Sequence, residues 1–197
     1  FFSSEIKSFA HIKKLELNES VLSEHFKFGF VAGEKTLFKD ITRIDPGSTI
    51  EINKDGRIKK EKYYKVSKNL INYSNQIPDL ELIENKLYES FHQHTISDVG
   101  YNIQLSGGLD SSLLTAVLSK YLNSNLRTYS LTLDDEDYDE KYFQDLVVKQ
   151  FKTKHFSINV TNSNYSRLLE KATWHMDFPI VHSGCPFLMY LCKFSKE

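Results

Sequence analysis

Tyr101-Asn102-Ile103-Gln104-Leu105-Ser106-Gly107-Gly108-Leu109-Asp110-Ser111-Ser112 is the stretch on which the fold class of this chain turns. Residues 101–105 read as a short strand, and Leu113, Leu114, Val117, Leu118 and Tyr121 mark one side of a helix beyond it. Between them lies a loop with two adjacent glycines, which let the backbone pass close to a bulky anion. The free N–H groups at the helix start, together with the helix dipole, attract a phosphate group. Ser106, Ser111 and Ser112 add hydroxyl donors. A carboxylate among these donors repels phosphate unless a divalent cation lies between, so Asp110 is the candidate Mg²⁺ ligand, with phosphate oxygens filling other positions. Other phosphate loops fit poorly. Gly33-Glu34-Lys35-Thr36 lacks the first glycine of the G-x-x-x-x-G-K-[ST] pattern, and no G-x-G-x-x-G occurs.

On the C-terminal side of the loop, a strand is expected over 126–133, and then a helix near 140–151 with Tyr142, Phe143, Leu146 and Val147 inward. A strand over 155–160 and helices near 165–175 and 185–194 follow. On the N-terminal side, Leu80, Ile83, Leu87, Phe91 and His94 recur at three- and four-residue steps and predict a long amphipathic helix. Strands alternating with helices mean βαβ units: an α/β domain over 76–197, with a parallel sheet and helices on both faces. Before it, residues 1–75 read as a smaller, partial α+β segment. A short strand and helical turn are expected over 4–9, a helix around 19–30, and a β-hairpin formed by 48–52 and 57–66 around Asn53-Lys54-Asp55-Gly56. Lys59, Lys60 and Lys62 fit the solvated face of an edge strand better than a basic patch. Asn69, Asn72, Ser74, Asn75 and Pro78 make 67–78 a linker.

Lys and Arg number 25 against 26 Asp and Glu, so no net field points to nucleic acid or an anionic membrane. No run approaches the roughly 20 apolar residues of a membrane span, and residues 1–5 lack a secretory n-region. Cys185 and Cys192 read as reduced core thiols, in keeping with a cytoplasmic protein. His92 and His94 diverge by roughly 200° on a helix and share no metal. Trp174 reads as core, and His175 and His182 bracket the turn at Asp177-Phe178-Pro179. The absence of an initiator Met and the patterned ends read as a piece of something longer.

Ser-Gly-Gly-Leu-Asp-Ser-Ser resembles the pyrophosphate loop of the N-type ATP pyrophosphatases, and the flanks narrow the likeness to the asparagine synthetase group. Tyr138-Asp139-Glu140, Thr153-Lys154-His155 and the acidic-x-Pro at Asp177-Phe178-Pro179 are similar to that family's passages after the loop. Phe2-Ser3-Ser4-Glu5-Ile6-Lys7 and Thr36-Leu37-Phe38-Lys39-Asp40-Ile41 with Asp45-Pro46-Gly47 resemble the end of its glutaminase domain. Phe178 stands where the family has Glu. The likeness covers the middle of a family member: the catalytic cysteine would lie before Phe1 and the second nucleotide motif beyond Glu197.

The resemblance implies an adenine-nucleotide alpha-hydrolase-like fold and an ATP- and Mg²⁺-dependent ligase. Such an enzyme adenylates a small carboxylate, aspartate by default, releases pyrophosphate, and lets ammonia from glutamine displace AMP. It implies that Leu105 and Leu131 place main chain against the adenine. Ser106, Gly107, Gly108, Ser111 and Ser112 would hold phosphates, Asp110 the metal, and Asp177 part of the substrate pocket. The acidic run 134–137 would be a solvated loop over the ATP site. Two alternatives stay open: a lactam- or lasso-peptide-type cyclase of the same superfamily, and a non-catalytic scaffold module. A homo-oligomer would cover the sheet edge and apolar surface left by a chain ending at Glu197.

Overall fold

The computed structural model describes residues 1–65, 79–121, 126–135, 137 and 139–196. The linker expected over 67–78, together with Glu136 and Tyr138, lies outside the described residues. The chain divides into two compact units, Phe1–Gln76 with Thr173–His182, and Ile77–Ala172 with Ser183–Glu197.

The first unit opens with a 3₁₀ helix, Ile6–His11, and not with the expected short strand. The backbone N–H groups of Ile6 and Lys7 donate to the Asp177 carboxylate, so they have no strand partner to seek. A second 3₁₀ turn, Glu19–Val21, leads into helix α1 (Leu22–Phe28). That helix stops short of Phe30 because Gly29 takes a left-handed conformation (φ 79°) and donates its N–H to His25 O at 2.7 Å. Strands β1 (Ser48–Ile52) and β2 (Ile58–Lys62) form the expected antiparallel hairpin, Ser48 opposite Lys62 and Ile52 opposite Ile58. Every residue of β2 is exposed. Its lysines are matched by local acids: Lys62 with Asp45 at 2.7 Å, Lys59 with Glu61 at 3.5 Å, and Lys60 with Glu34. The unit's core is Val21, Val31 and Leu37, packed by Leu22, Phe38 and Phe178.

The second unit begins with α2 (Leu80–His94), capped by Asp79, whose carboxylate accepts the N–H groups of Glu81 and Leu82 at 3.1 and 3.2 Å. It continues through β3 (Ile103–Gln104), α3 (Leu109–Tyr121), β4 (Arg127–Leu133), α4 (Lys141–Phe151), β5 (Lys154–Val160), α5 (Asn162–Met176) and α6 (Gly184–Phe194). The three strands are parallel in the order β3-β4-β5, flanked by helices, which is the α/β arrangement expected. β4 is central, and Thr128, Tyr129 and Ser130 in it are buried. Tyr129 stacks beside Phe156 and meets Phe194 of α6 edge-on at 5.5 Å. Ile103, Leu118 and Leu126 form a core with Phe91 and Leu114 against it.

Three expectations need correction. On α4, Tyr142, Phe143 and Leu146 are exposed, and the inward residue is Gln144, only 3 % exposed. At about 100° per residue, turning position 144 toward the strand ends swings 142 and 143 outward. Trp174 is 59 % exposed, not core. Both thiols are free, but Cys192 is exposed. Among the described residues no helix is long and apolar enough to cross a membrane.

Candidate nucleotide-binding site

The loop grows directly out of the sheet. Leu105, just past β3, donates its N–H to Tyr129 O at 2.8 Å, and its carbonyl accepts a hydrogen bond from the Ser130 hydroxyl. The side chain of Leu105 is fully buried, so the loop leaves from a rigid point. The chain then crosses itself through its serines. Ser106 N–H donates to Ser111 Oγ at 3.2 Å, the Ser106 and Ser111 hydroxyls are 3.0 Å apart, and Gly108 N–H donates to Ser106 Oγ at 3.1 Å. The hydroxyls of Ser111 and Ser112 donate to Gly108 O at 3.2 and 2.7 Å. These bonds set the loop's shape with no ligand needed.

The two glycines are placed differently. Gly107 has φ 92°, and a Cβ there would lie 3.0 Å from Phe143 Cβ, 3.1 Å from Glu140 O and 3.2 Å from Gln144 N. Only glycine permits this backbone against the first turn of α4. A Cβ on Gly108 would meet only Ser106 Oγ, at 3.3 Å. Among the described residues a side chain at 108 therefore has room that a side chain at 107 does not.

Helix α3 starts at Leu109, and Ser112 N–H to Gly108 O, at 3.1 Å, is its first backbone bond. The N–H groups of Leu109, Asp110 and Ser111 precede it and have no intrahelical acceptor. With a 13-residue helix behind them, they stand at the carboxyl end of a parallel strand, where the helix dipole favours negative charge. Asp110 is exposed there. Among the described residues no three His, Cys, Asp or Glu side chains converge as metal ligands. One exposed carboxylate beside phosphate donors suits a hard cation held mostly by phosphate oxygens and water, not a protein cage.

Leu131, on β4, belongs to the same cluster: its carbonyl accepts from Gln144 Nε2 at 3.0 Å, and the same Nε2 lies 3.3 Å from Ser106 O. The structure thus brings Leu105, Ser106, Gly107, Gly108, Asp110, Ser111, Ser112 and Leu131 to neighbouring strand ends. Gln144 was not among the candidate residues. The one available signal was a glutamine three and four residues ahead of Val147 and Val148, the pair that α4 half-buries.

The asparagine synthase family model matches residues 82–197, more than half of the chain and all of the loop, sheet and helices just described. The chain belongs to the asparagine synthase family. Asparagine synthetase [glutamine-hydrolyzing] 1 of Bacillus subtilis (strain 168) is 26 % identical over 198 residues, covering 100 % of this chain and 31 % of that protein. Putative asparagine synthetase [glutamine-hydrolyzing] 2 of Methanocaldococcus jannaschii is 28 % identical over 194 residues, covering 94 % of this chain and 37 % of its own length. The chain therefore spans about a third of the length of these curated relatives.

In this asparagine synthase family chain Asp177 falls in the first unit. It has φ 61°, and its carboxylate accepts from Ile6 N–H at 2.7 Å and Lys7 N–H at 3.2 Å while pairing with the Lys7 ammonium at 3.0 Å. Burial lowers the Lys7 pKa, but the bonds to Asp177 and Glu5 outweigh it and hold the ammonium above its usual 10.5. Phe178 packs on the Val21–Val31–Leu37 core and edge-on to His25, 5.5 Å away. His25 Nε2 in turn lies 2.9 Å from Pro179 O. His175 and His182 are both exposed. In the acidic run, Asp134 accepts from Asn159 Nδ2 at 2.6 Å, and just beyond it Asp139 accepts from Leu133 N–H at 3.3 Å.

Proposed function

We propose that this chain is the part of an ATP-dependent, AMP-forming amide ligase that grips the nucleotide's phosphates. Residues 1–75 would be the end of a glutaminase-like domain with its linker, and 76–197 the first half of the synthetase domain. The observation that carries the reading is the loop at 106–112: a turn shaped by its serines, leading into the amides of a helix start that have no intrahelical acceptor, with an exposed Asp110 beside it. A carboxylate oxygen of the acyl substrate attacks the α-phosphorus of ATP, the bond to the β-phosphate oxygen breaks, and pyrophosphate leaves. An amine then attacks the acyl carbon and AMP departs. Amides at 109–111 stabilise the charge that builds on the leaving pyrophosphate, while the Ser111 and Ser112 hydroxyls hold the loop in shape and can reach the phosphate only by exchanging their bonds to Gly108 O. Mg²⁺, when bound, neutralises part of that charge, with Asp110 as its protein ligand. Main chain at Leu105 and Leu131 would line the adenine side.

Relatives named as glutamine-hydrolysing asparagine synthetases support aspartate as the acyl substrate and glutamine-derived ammonia as the amine. We assign Asp177 to holding the first unit together, since its oxygens are already engaged. The test is ATP–pyrophosphate exchange by the full-length protein, with and without aspartate and Mg²⁺. Asp110→Asn should lower exchange on the order of a hundredfold, with an unchanged circular dichroism spectrum. Exchange that proceeds normally in that variant at saturating Mg²⁺ removes Asp110 from the metal site.

A further inference from the structure

We propose that Gln144 is a positioning residue that helps set the distance between the phosphate loop and the adenine side of the site. The inference rests on the nucleotide-binding reading above and adds the part that holds its two halves in register. Gln144 sits in the first half of α4, its N–H donating to Glu140 O at 3.1 Å, so its backbone is fixed by the helix. Its side-chain nitrogen reaches two carbonyls on two different pieces of chain: Ser106 O, where the loop departs, and Leu131 O, on the next strand. A single planar NH₂ carries two donors, which matches two acceptors. The opposite amide orientation would aim an oxygen at two carbonyl oxygens, so the assignment is decided by its partners.

What marks this as more than packing is the other end of the amide. Gln144 Oε1 is buried and has no hydrogen-bond partner among the described residues. A buried acceptor without a donor is destabilising, so packing alone does not account for an amide here. The same helix turn also sets the loop from a second side, since Gly107 lies against Phe143 and the Glu140 carbonyl. α4 thus grips the loop at Ser106 and Gly107 while Gln144 holds β4. Leu105 is already paired to β4 through Tyr129 O and the Ser130 hydroxyl, and Gln144 adds the side-chain tie that joins the next residue, Ser106, to Leu131. A ligand reaching only one of the two subsites does not sense the span from Ser106 to Leu131. ATP, which must reach both, does.

The experiment uses the full-length protein with Gln144→Met, which keeps length and shape but removes both donors, and Gln144→Glu, which turns oxygens toward the two carbonyls. Binding of ATP, AMP and inorganic pyrophosphate is measured by calorimetry at a temperature well below the melting transition. Expected for Gln144→Met is roughly tenfold weaker ATP binding, with AMP and pyrophosphate each within about twofold of wild type and little change in thermal midpoint. Gln144→Glu should be weaker still for ATP. Equal loss for all three ligands, or a lowered midpoint with ATP affinity intact, would reduce Gln144 to a packing residue and overturn the proposal. Wild-type protein that binds none of the three would overturn the nucleotide-site reading itself, and this inference with it.

Discussion

The loop at 106–112 and the turn at 177–179 each carry one acid, yet the two acids end in opposite states. In the loop, serines and glycines satisfy one another, and Asp110 is left exposed. In the turn, the Asp177 oxygens are taken by the amides of Ile6 and Lys7 and by the Lys7 ammonium, whose side chain is itself mostly buried. An acid in a motif is available to a ligand only if the chain has not already supplied its partner. The turn is a clamp made from the two ends of its unit, and the loop is a socket.

The largest effect that would break this contrast is at the glycines. Gly107→Val should destabilise the second unit by about 3 kcal/mol, combining a left-handed backbone with collision against Phe143 and the Glu140 carbonyl. Gly108→Ala should stay within about 0.5 kcal/mol of wild type, since only a rotatable hydroxyl must shift, while weakening ATP by about tenfold. Thermal melts with and without ATP separate the two, and equal melting of both variants would mean that the two glycines are not placed differently.

Next comes Asp177→Ala, which removes two amide acceptors and the partner of a buried ammonium. The first unit should lose about 2 kcal/mol, read by denaturant unfolding, while ATP affinity stays as in wild type. Full stability with lost aspartate-dependent exchange would instead make Asp177 part of the substrate pocket and erase the contrast.

The smallest effect is on pH. His155, on β5 beneath the site, has its pKa lowered from 6.5 chiefly by burial, and its Nδ1 lies 3.0 Å from Thr128 Oγ1. The folded chain resists a proton that the unfolded chain takes up near 6.5, so stability is flat above that pH and declines as pH falls below it. His155→Gln should flatten the decline in acid melting curves. The Lys7 pair works in the other direction: its ammonium is held above 10.5, so its contribution persists through neutral pH and is lost only as pH rises through that raised value. A decline of equal slope in wild type and His155→Gln would assign the acid sensitivity elsewhere.

Some of this was legible residue by residue. The strand, glycine loop and helix at 103–121 were readable because the chemistry is contiguous: small residues, hydroxyls and one acid between two apolar runs. The hairpin was readable because Asp45-Pro46-Gly47 and Asn53-Lys54-Asp55-Gly56 punctuate it locally. α4 was misread because periodicity finds a stripe of Tyr142, Phe143, Leu146 and Val147 without saying what stands opposite. At the chain start the helical turn was read correctly, and stands at Ile6–His11, but the short strand before it was misread because the partner of the Ile6 amide, Asp177, is 171 residues away.

The sequence by itself determined the α/β class, the place of the glycine–serine loop between strand and helix, and the family, since each depends on residues adjacent along the chain or on matched motifs. Only the tertiary structure decided that Gly107 is needed for the approach of α4, that Gln144 ties Ser106 to Leu131, and that Asp177 is occupied. Those three facts are contacts between segments far apart in the chain. Whether a donor or an acid is free or already satisfied depends on which distant group is brought within about 3 Å of it, and no local pattern records that.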